Sequence, residues 1–170
     1  MLDNAKTTRW TLRFALLTLL PLALLLPSSL LAWEGKAVRI VDGDTIVVLR
    51  DGKEQVRVRV YGIDCPEKKQ PYGRKATRFA AAMVGNELVD VEHIDTDRYG
   101  RTVGIVRTLK GKHDLGEALL QAGLAWVYAR YCTRPVCSRY VQVEAEARSR
   151  GEGLWSEQMP TPPWRWRADK

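Results

Sequence analysis

The clearest patterning along the chain is the stretch Val56-Arg57-Val58-Arg59-Val60, which alternates apolar and basic residues with a period of two. Such alternation is the mark of a strand with one buried face. Before it, Val38 to Val41 and Thr45 to Leu49 form two short apolar runs, and Asp51-Gly52 separates the second run from the alternating one. Asp-Gly between apolar runs is a strong hairpin signal, because a tight turn there needs positive φ. With Asp51 and Gly52 as the two central residues, Val47 faces Val56, Ile46 faces Arg57 and Asp44 faces Arg59. One side of the hairpin then carries Val41, Thr45, Val47, Leu49, Val56, Val58 and Val60. The other gathers Asp42, Asp44, Arg57, Arg59 and Tyr61, with its charges at the end far from the turn. A bulge anywhere in the ladder shifts this by one residue.

The period then changes to helical. Ala76, Phe79, Ala80, Met83 and Val84 share one face, and Gly85-Asn86 can end the helix. Leu88 to Glu92 and Val103 to Leu109 read as two more strands. Asp114 can cap a second helix, with Glu117 completing a capping box. Its apolar stripe is Leu115, Ala118, Leu119 and Ala122, and Gly123 stops it. Ser138 can cap a third helix running to about Arg150, stopped by Gly151. Three strands, a helix, two strands and two helices make an α+β fold with a small antiparallel sheet or barrel. Trp155 reads as a core anchor. Beyond it the Pro/Trp/Arg segment 159–170 reads as a flexible, exposed tail, although Trp164 and Trp166 with Arg165 and Arg167 could stack on bases.

The first residues follow another logic. Lys6, Arg9 and Arg13 precede an uncharged run, Phe14 to Leu31, followed by Ala32. That is the layout of a secretory signal peptide, cleaved before Trp33 or retained as a membrane anchor through 14–31. Either fate exports residues 33–170. The whole chain of 170 residues carries 27 Lys+Arg against 20 Asp+Glu, a net +7. Losing Lys6, Arg9, Arg13 and Asp3 with the leader leaves +5, which suits an anionic partner without naming it. Two histidines, His93 and His113, out of zinc spacing with the three cysteines, argue against a zinc enzyme. Cys132 and Cys137 flank a short Thr-Arg-Pro-Val loop and can form a disulfide in an oxidising compartment; Cys65 is left over.

Four short stretches do not follow the logic of packing: Asp42-Gly43-Asp44-Thr45, Arg59, Asp64-Cys65-Pro66-Glu67 and Asp97-Arg98-Tyr99-Gly100-Arg101. Asp44 opens one arm of the hairpin and Asp64 lies just past the end of the other, so the two carboxylates converge. A hard divalent cation with oxygen ligands relieves their repulsion. Arg59 and Arg101 offer planar forks suited to phosphate, and Glu67 is a spare carboxylate that can orient or deprotonate water. The bland readings stand beside these: Asp44 and Arg59 as a cross-strand ion pair, Glu67 as a helix cap, Asp42 as a turn residue, Lys68, Lys69 and Arg98 as solvated charges.

The ordered set Val-Asp-Gly-Asp-Thr, Arg-Val-Tyr-Gly-Ile-Asp-Cys-Pro-Glu, Asp-Arg-Tyr-Gly-Arg and Gly-Leu-Trp-Ser-Glu resembles the staphylococcal (micrococcal) nuclease family over about residues 35–157. The resemblance implies a five-stranded OB-type β-barrel with three helices over 33–158, preceded by the export segment 1–32. It implies an exported, thermonuclease-like endonuclease that hydrolyses DNA and RNA and leaves 3′-phosphate ends. Asp44 and Asp64 would bind Ca2+ through carboxylates and Cys65 through its backbone carbonyl. Glu67 would hold or activate the attacking water, and Arg59 and Arg101 would clamp the phosphate. Tyr99, Tyr128 and Tyr131 are candidates for nucleotide contact, and Asp42 for support of the metal ligands. The chain departs from the best-known member in the short Lys-Lys-Gln-Pro stretch after Glu67, in Cys65 standing where that member has threonine, and in the Cys132/Cys137 pair. No obligate protein partner is expected, and the protein should be a monomer. The alternative is an OB-type domain that binds nucleic acid or protein without cutting.

Overall fold

The structure, a computed structural model, describes residues 32–169; the export segment expected over residues 1–32 lies outside them except for Ala32. The strands are β1 (Ala32–Ile40), β2 (Thr45–Arg50), β3 (Glu54–Val60), β4 (Ile63–Asp64), β5 (Leu88–Thr96), β6 (Thr102–Thr108) and β7 (Trp126–Val127). The helices among the described residues are α1 (Gly73–Val84), α2 (Leu115–Gln121), α3 (Val136–Ser149) and α4 (Pro163–Ala168), with a 3-10 turn at Gly153–Ser156. Strands β1-β2-β3-β6-β5 close into a barrel, and β4 pairs with β7 beside it. All barrel pairs are antiparallel except β3 with β6, which run parallel. This is the expected α+β five-stranded barrel, with α4 as an additional helix.

Closure depends on β1, which pairs with β5 through Ala32–Lys36 and with β2 through Gly35–Ile40. A side chain at Gly35, where the two ladders overlap, would meet Val48 at 2.6 Å and the Leu49 carbonyl at 2.7 Å. Only glycine lets the strand turn that corner. Strand β1 is therefore longer than the Val38–Val41 run that the apolar residues mark. A bulge between Ala37 and Arg39 turns Val38 outward. Ile46, Val48, Val58, Val60, Val89, Val91 and Val106 fill the interior and are essentially inaccessible to solvent.

The hairpin register differs by one residue from the expected one. Arg50 pairs with Glu54, so the turn holds three residues, Asp51, Gly52 and Lys53, not two. Ile46 therefore faces Val58, Val47 faces Arg57, and Thr45 rather than Asp44 faces Arg59. The interior face of β2 is Ile46 and Val48, although Thr45 and Val47 are also buried, on the outer side. Asp51 and Gly52 both have positive φ (51° and 66°), which a three-residue turn uses as readily as a two-residue one.

The helices pack as one group against the barrel through Ala76, Ala80 and Val84 of α1, Leu115, Leu119 and Leu120 of α2, and Tyr140 and Val143 of α3. Asp114 caps α2, accepting from the amides of Gly116 (2.7 Å) and Glu117 (3.1 Å), and the buried Tyr140 hydroxyl also donates to it. The expected capping box is half formed, since Glu117 pairs with Arg139 of α3. Helix α3 begins two residues before Ser138, behind Pro135. Cys132 and Cys137 are joined as a disulfide with Cα atoms 5.6 Å apart. The loop it closes is held by the Tyr61 hydroxyl, which accepts from the amides of Thr133 (2.8 Å) and Arg134 (3.0 Å).

The segment after Trp155 differs from the tail expected of it. Pro163 stands in the first turn of α4, where its missing N–H costs nothing, and Trp164 faces the body of the protein. Trp155 itself is half-buried, edge-on to Trp126 at 4.4 Å, with the Arg148 guanidinium 3.9 Å above its ring. Leu154 beside it is the fully buried anchor.

Candidate active site

The sharp turn 42–45 starts the site. The Asp42 carboxylate accepts the Asp44 amide at 3.2 Å, so Asp42 shapes the turn. Gly43 between them packs so tightly that a side chain there would lie 2.8 Å from both Ala76 and Cys65. That closeness carries Asp44 inward, where it is 3% exposed. Its Oδ2 accepts the Cys65 amide at 2.7 Å, and its Oδ1 accepts the Thr45 hydroxyl (3.1 Å) and Arg59 Nη1 (2.9 Å).

Asp64 arrives by another route. Strand β4 pairs Asp64 with Trp126 of β7, which also sets the Tyr128 amide on the Gly62 carbonyl. Asp64 is 1% exposed, and its Oδ1 accepts Arg59 Nη2 at 2.9 Å. One guanidinium thus bridges both carboxylates, although Arg59 is diagonal to Asp44 rather than opposite it. Burial pushes the Asp44 carboxyl up to about 7, against the pull of Arg59 and with the repulsion of Asp42 and Asp64. Burial works against the charge on Arg59, but the two aspartates drive its pKa upward. The Cys65 thiol is buried and raised well above its ordinary value, by burial first and the nearby carboxylates next. A protonated thiol is no ligand for a hard cation, which leaves the backbone carbonyl as the donor Cys65 can offer.

Glu67 follows on the short loop to α1. It does not cap that helix: Tyr72 occupies the cap position, with φ of 64°. Gln70, only 7% exposed, fixes the loop by accepting the Glu67 amide at 3.1 Å. The loop folds back so closely that a side chain at Gly73 would lie 1.8 Å from the Glu67 carbonyl oxygen. The Glu67 carboxylate accepts Arg167 Nη1 at 2.8 Å, and the same guanidinium reaches Asp64 Oδ2 at 2.7 Å.

The structure thus gathers Asp44, Arg59, Asp64, Cys65 and Glu67. Arg101 stands apart in the β5–β6 turn, paired through Nε and Nη2 with Asp97 at 2.7 Å. It lies two residues before Val103, the cross-strand partner of Arg59. Tyr99 on the same turn is 68% exposed, with the Arg98 and Arg101 guanidinia 4.8 and 5.5 Å from its ring centre. Tyr128 and Tyr131 meet edge to face at 4.8 Å. Sequence reasoning missed Gln70 and assigned Arg167 no role in the cluster. The signal for Arg167 was a proline pair opening a helix that sets Trp164 and Arg167 on one face.

Among the described residues no three carboxylate, imidazole or thiol side chains form a ready metal cage. The donor chemistry nevertheless suits a hard cation. Asp44, Asp64 and the Cys65 carbonyl are all oxygen donors, and Asp64 together with Glu67 already holds a positive charge, that of Arg167.

The structure is thus a closed five-stranded, OB-like barrel with buried acids and an arginine at its rim. The family model described as "Staphylococcal nuclease homologue" matches residues 57–157. An "Uncharacterized endonuclease" of Escherichia coli O157:H7 is 43% identical over 137 residues, covering 81% of this chain and 86% of the relative. "Protein ParB" of Escherichia coli is 42% identical over 148 residues (81% and 82%), and "Micrococcal nuclease" of Shigella flexneri is 38% identical over 155 residues (85% and 88%). The chain belongs to the staphylococcal nuclease family and is a phosphodiester hydrolase.

Proposed function

We propose that this protein is an exported, Ca2+-dependent endonuclease that cleaves DNA and RNA and leaves 3′-phosphate ends. The observation that carries the reading is the pair of buried carboxylates, Asp44 and Asp64, bridged by one guanidinium with Glu67 beside them. A fold under no functional demand gains little from such a group, because desolvating two like charges is costly.

Asp44, Asp64 and the Cys65 carbonyl would hold the cation. When bound, it would supply Lewis-acid stabilisation of charge on the phosphoryl oxygens. Glu67, whose side chain is 38% exposed at the mouth of the cluster, meets water and can orient or deprotonate the attacking molecule. Arg59 is held in place by the two carboxylates, and its remaining N–H groups would donate to a phosphoryl oxygen. Arg101 joins it from the neighbouring strand once substrate competes with Asp97 for its fork. Tyr99 offers an exposed ring face to a nucleotide, and Tyr128 would offer another where Trp164 now stacks on it. The exported state follows from the leader, and mass spectrometry of the exported protein should find an N-terminus at Trp33 if the leader is cleaved.

The roles are tested by substitution. Glu67→Gln and Arg101→Ala should each lose roughly two or more orders of magnitude in turnover with circular dichroism unchanged. Near-wild-type turnover in either removes the assigned role, and nucleic-acid binding without cleavage by the wild type would favour a binding module.

A further inference from the structure

The C-terminal segment touches the site at three places. Thr161, just before α4, offers its carbonyl to Gln70 Nε2 at 2.6 Å, and Gln70 is the residue that fixes the Glu67 amide. Trp164 lies parallel to Tyr128, with ring centres 5.1 Å apart and planes 4° from parallel. Arg167, on the same helix face, closes on Asp64 Oδ2 (2.7 Å), Asp64 Oδ1 (3.3 Å) and Glu67 Oε1 (2.8 Å).

Two of the three contacts, those on Tyr128 and on Asp64 with Glu67, engage groups that the nuclease reading needs free. Asp64 is a cation ligand, Glu67 handles water, and the Tyr128 ring is a nucleotide platform. Arg167 takes Asp64 Oδ2, the carboxylate oxygen that Arg59 leaves open, and its positive charge there repels an arriving dication. The electrostatics also explain why the segment docks. Asp44 and Asp64 share a single barrel guanidinium, and Arg167 supplies the second positive charge to the buried Asp64. Helix α4 is only six residues long and the Arg167 side chain is 42% exposed, although Pro163 is buried and Trp164 also meets Trp126 at 5.8 Å.

We propose that α4 is an autoinhibitory strap. Arg167 occupies the carboxylates of Asp64 and Glu67, and Trp164 covers the Tyr128 ring, so a divalent cation and a polynucleotide must displace the segment to reach the site. The inference rests on the cation and nucleotide roles given under Proposed function.

The test is a calorimetric titration of the full-length protein with CaCl2 alone, for the wild type, Arg167→Ala and Trp164→Ala, with hydrogen exchange followed over residues 160–169. A strap closed about nine-tenths of the time weakens apparent Ca2+ affinity about tenfold. Arg167→Ala should therefore bind Ca2+ about tenfold more tightly. Trp164→Ala, which leaves every charge in place, should also bind more tightly, and Ca2+ should speed exchange of 160–169 in the wild type. Unchanged or weaker Ca2+ binding in both variants overturns the strap while leaving the cation site standing. Tighter binding in Arg167→Ala alone also overturns it, because removing a local charge then suffices. If no protein binds Ca2+, the cation reading fails, and the strap is judged by exchange: faster exchange of 160–169 in Arg167→Ala supports the Arg167 anchor, and unchanged protection overturns it.

Discussion

At the rim of the barrel two buried aspartates compete for one arginine, and this gives the site a pH signature of its own. The Asp44 carboxyl is pushed up to about 7 from an ordinary 3.8, mainly by burial. The folded state therefore holds the Asp44 proton more tightly than the unfolded chain does. Between about pH 4 and pH 7 the unfolded chain releases it first, so this group's contribution to stability falls as pH rises through that window. Asp44→Asn has no such proton to lose. Without Ca2+, the wild-type melting temperature relative to that of Asp44→Asn should decline steadily across the window. A difference that stays flat would contradict the burial-driven shift. A methyl group at Gly73 would collide with the Glu67 carbonyl and displace the loop that presents Glu67. Gly73→Ala should cost roughly 1–3 kcal/mol of stability, read by urea unfolding, and should lower turnover more than it raises KM.

At the scale of elements, most strands and helices were legible because their periodicities are plain: Val56 to Val60 alternates, and Ala76 to Val84 recurs at helical spacing. The register of the first hairpin was not. Asp51 and Gly52 suit both turn lengths, and choosing one over the other moves Asp44 from opposite Arg59 to diagonal. The ion pair survived the error because a guanidinium reaches a diagonal neighbour. Strands β4 and β7 were invisible, since two-residue strands have no period, yet their pairing is what sets Asp64 beside Trp126 and Tyr128. Helix α4 was hidden by composition, because proline and arginine suggest an exposed tail unless the proline at its start is weighed. The disulfide adds its own expectation. It closes a loop of only a few residues, worth about 2 kcal/mol by chain entropy. Replacing both Cys132 and Cys137 with serine should lower unfolding stability by about that amount, and an unchanged urea midpoint would show that the bond stabilises nothing.

Across the whole molecule the acids and arginines were more legible than their arrangement. Asp44, Asp64, Glu67 and Arg59 stood out in the sequence as charges that packing does not explain, and the structure brings them together. Arg101 stood out for the same reason but pairs with Asp97, because the turn offers it a carboxylate four residues away. The net charge of +7 did less to reveal function than these few side chains, since a basic surplus suits any anionic partner. The parallel pairing of β3 with β6 joins segments about forty residues apart, and it brings the Arg101 turn to the edge that carries Arg59. Such long-range pairing leaves no local trace in a sequence.

We propose that this barrel cleaves phosphodiesters with the help of a cation held by Asp44 and Asp64. The most direct measurement is digestion of double-stranded DNA by the purified protein with Ca2+ and then with excess chelator. Degradation that depends on Ca2+, stops on chelation and leaves 3′-phosphate ends is the predicted result. DNA that stays intact across a wide range of Ca2+ concentrations, or digestion that continues undiminished in chelator, would contradict it.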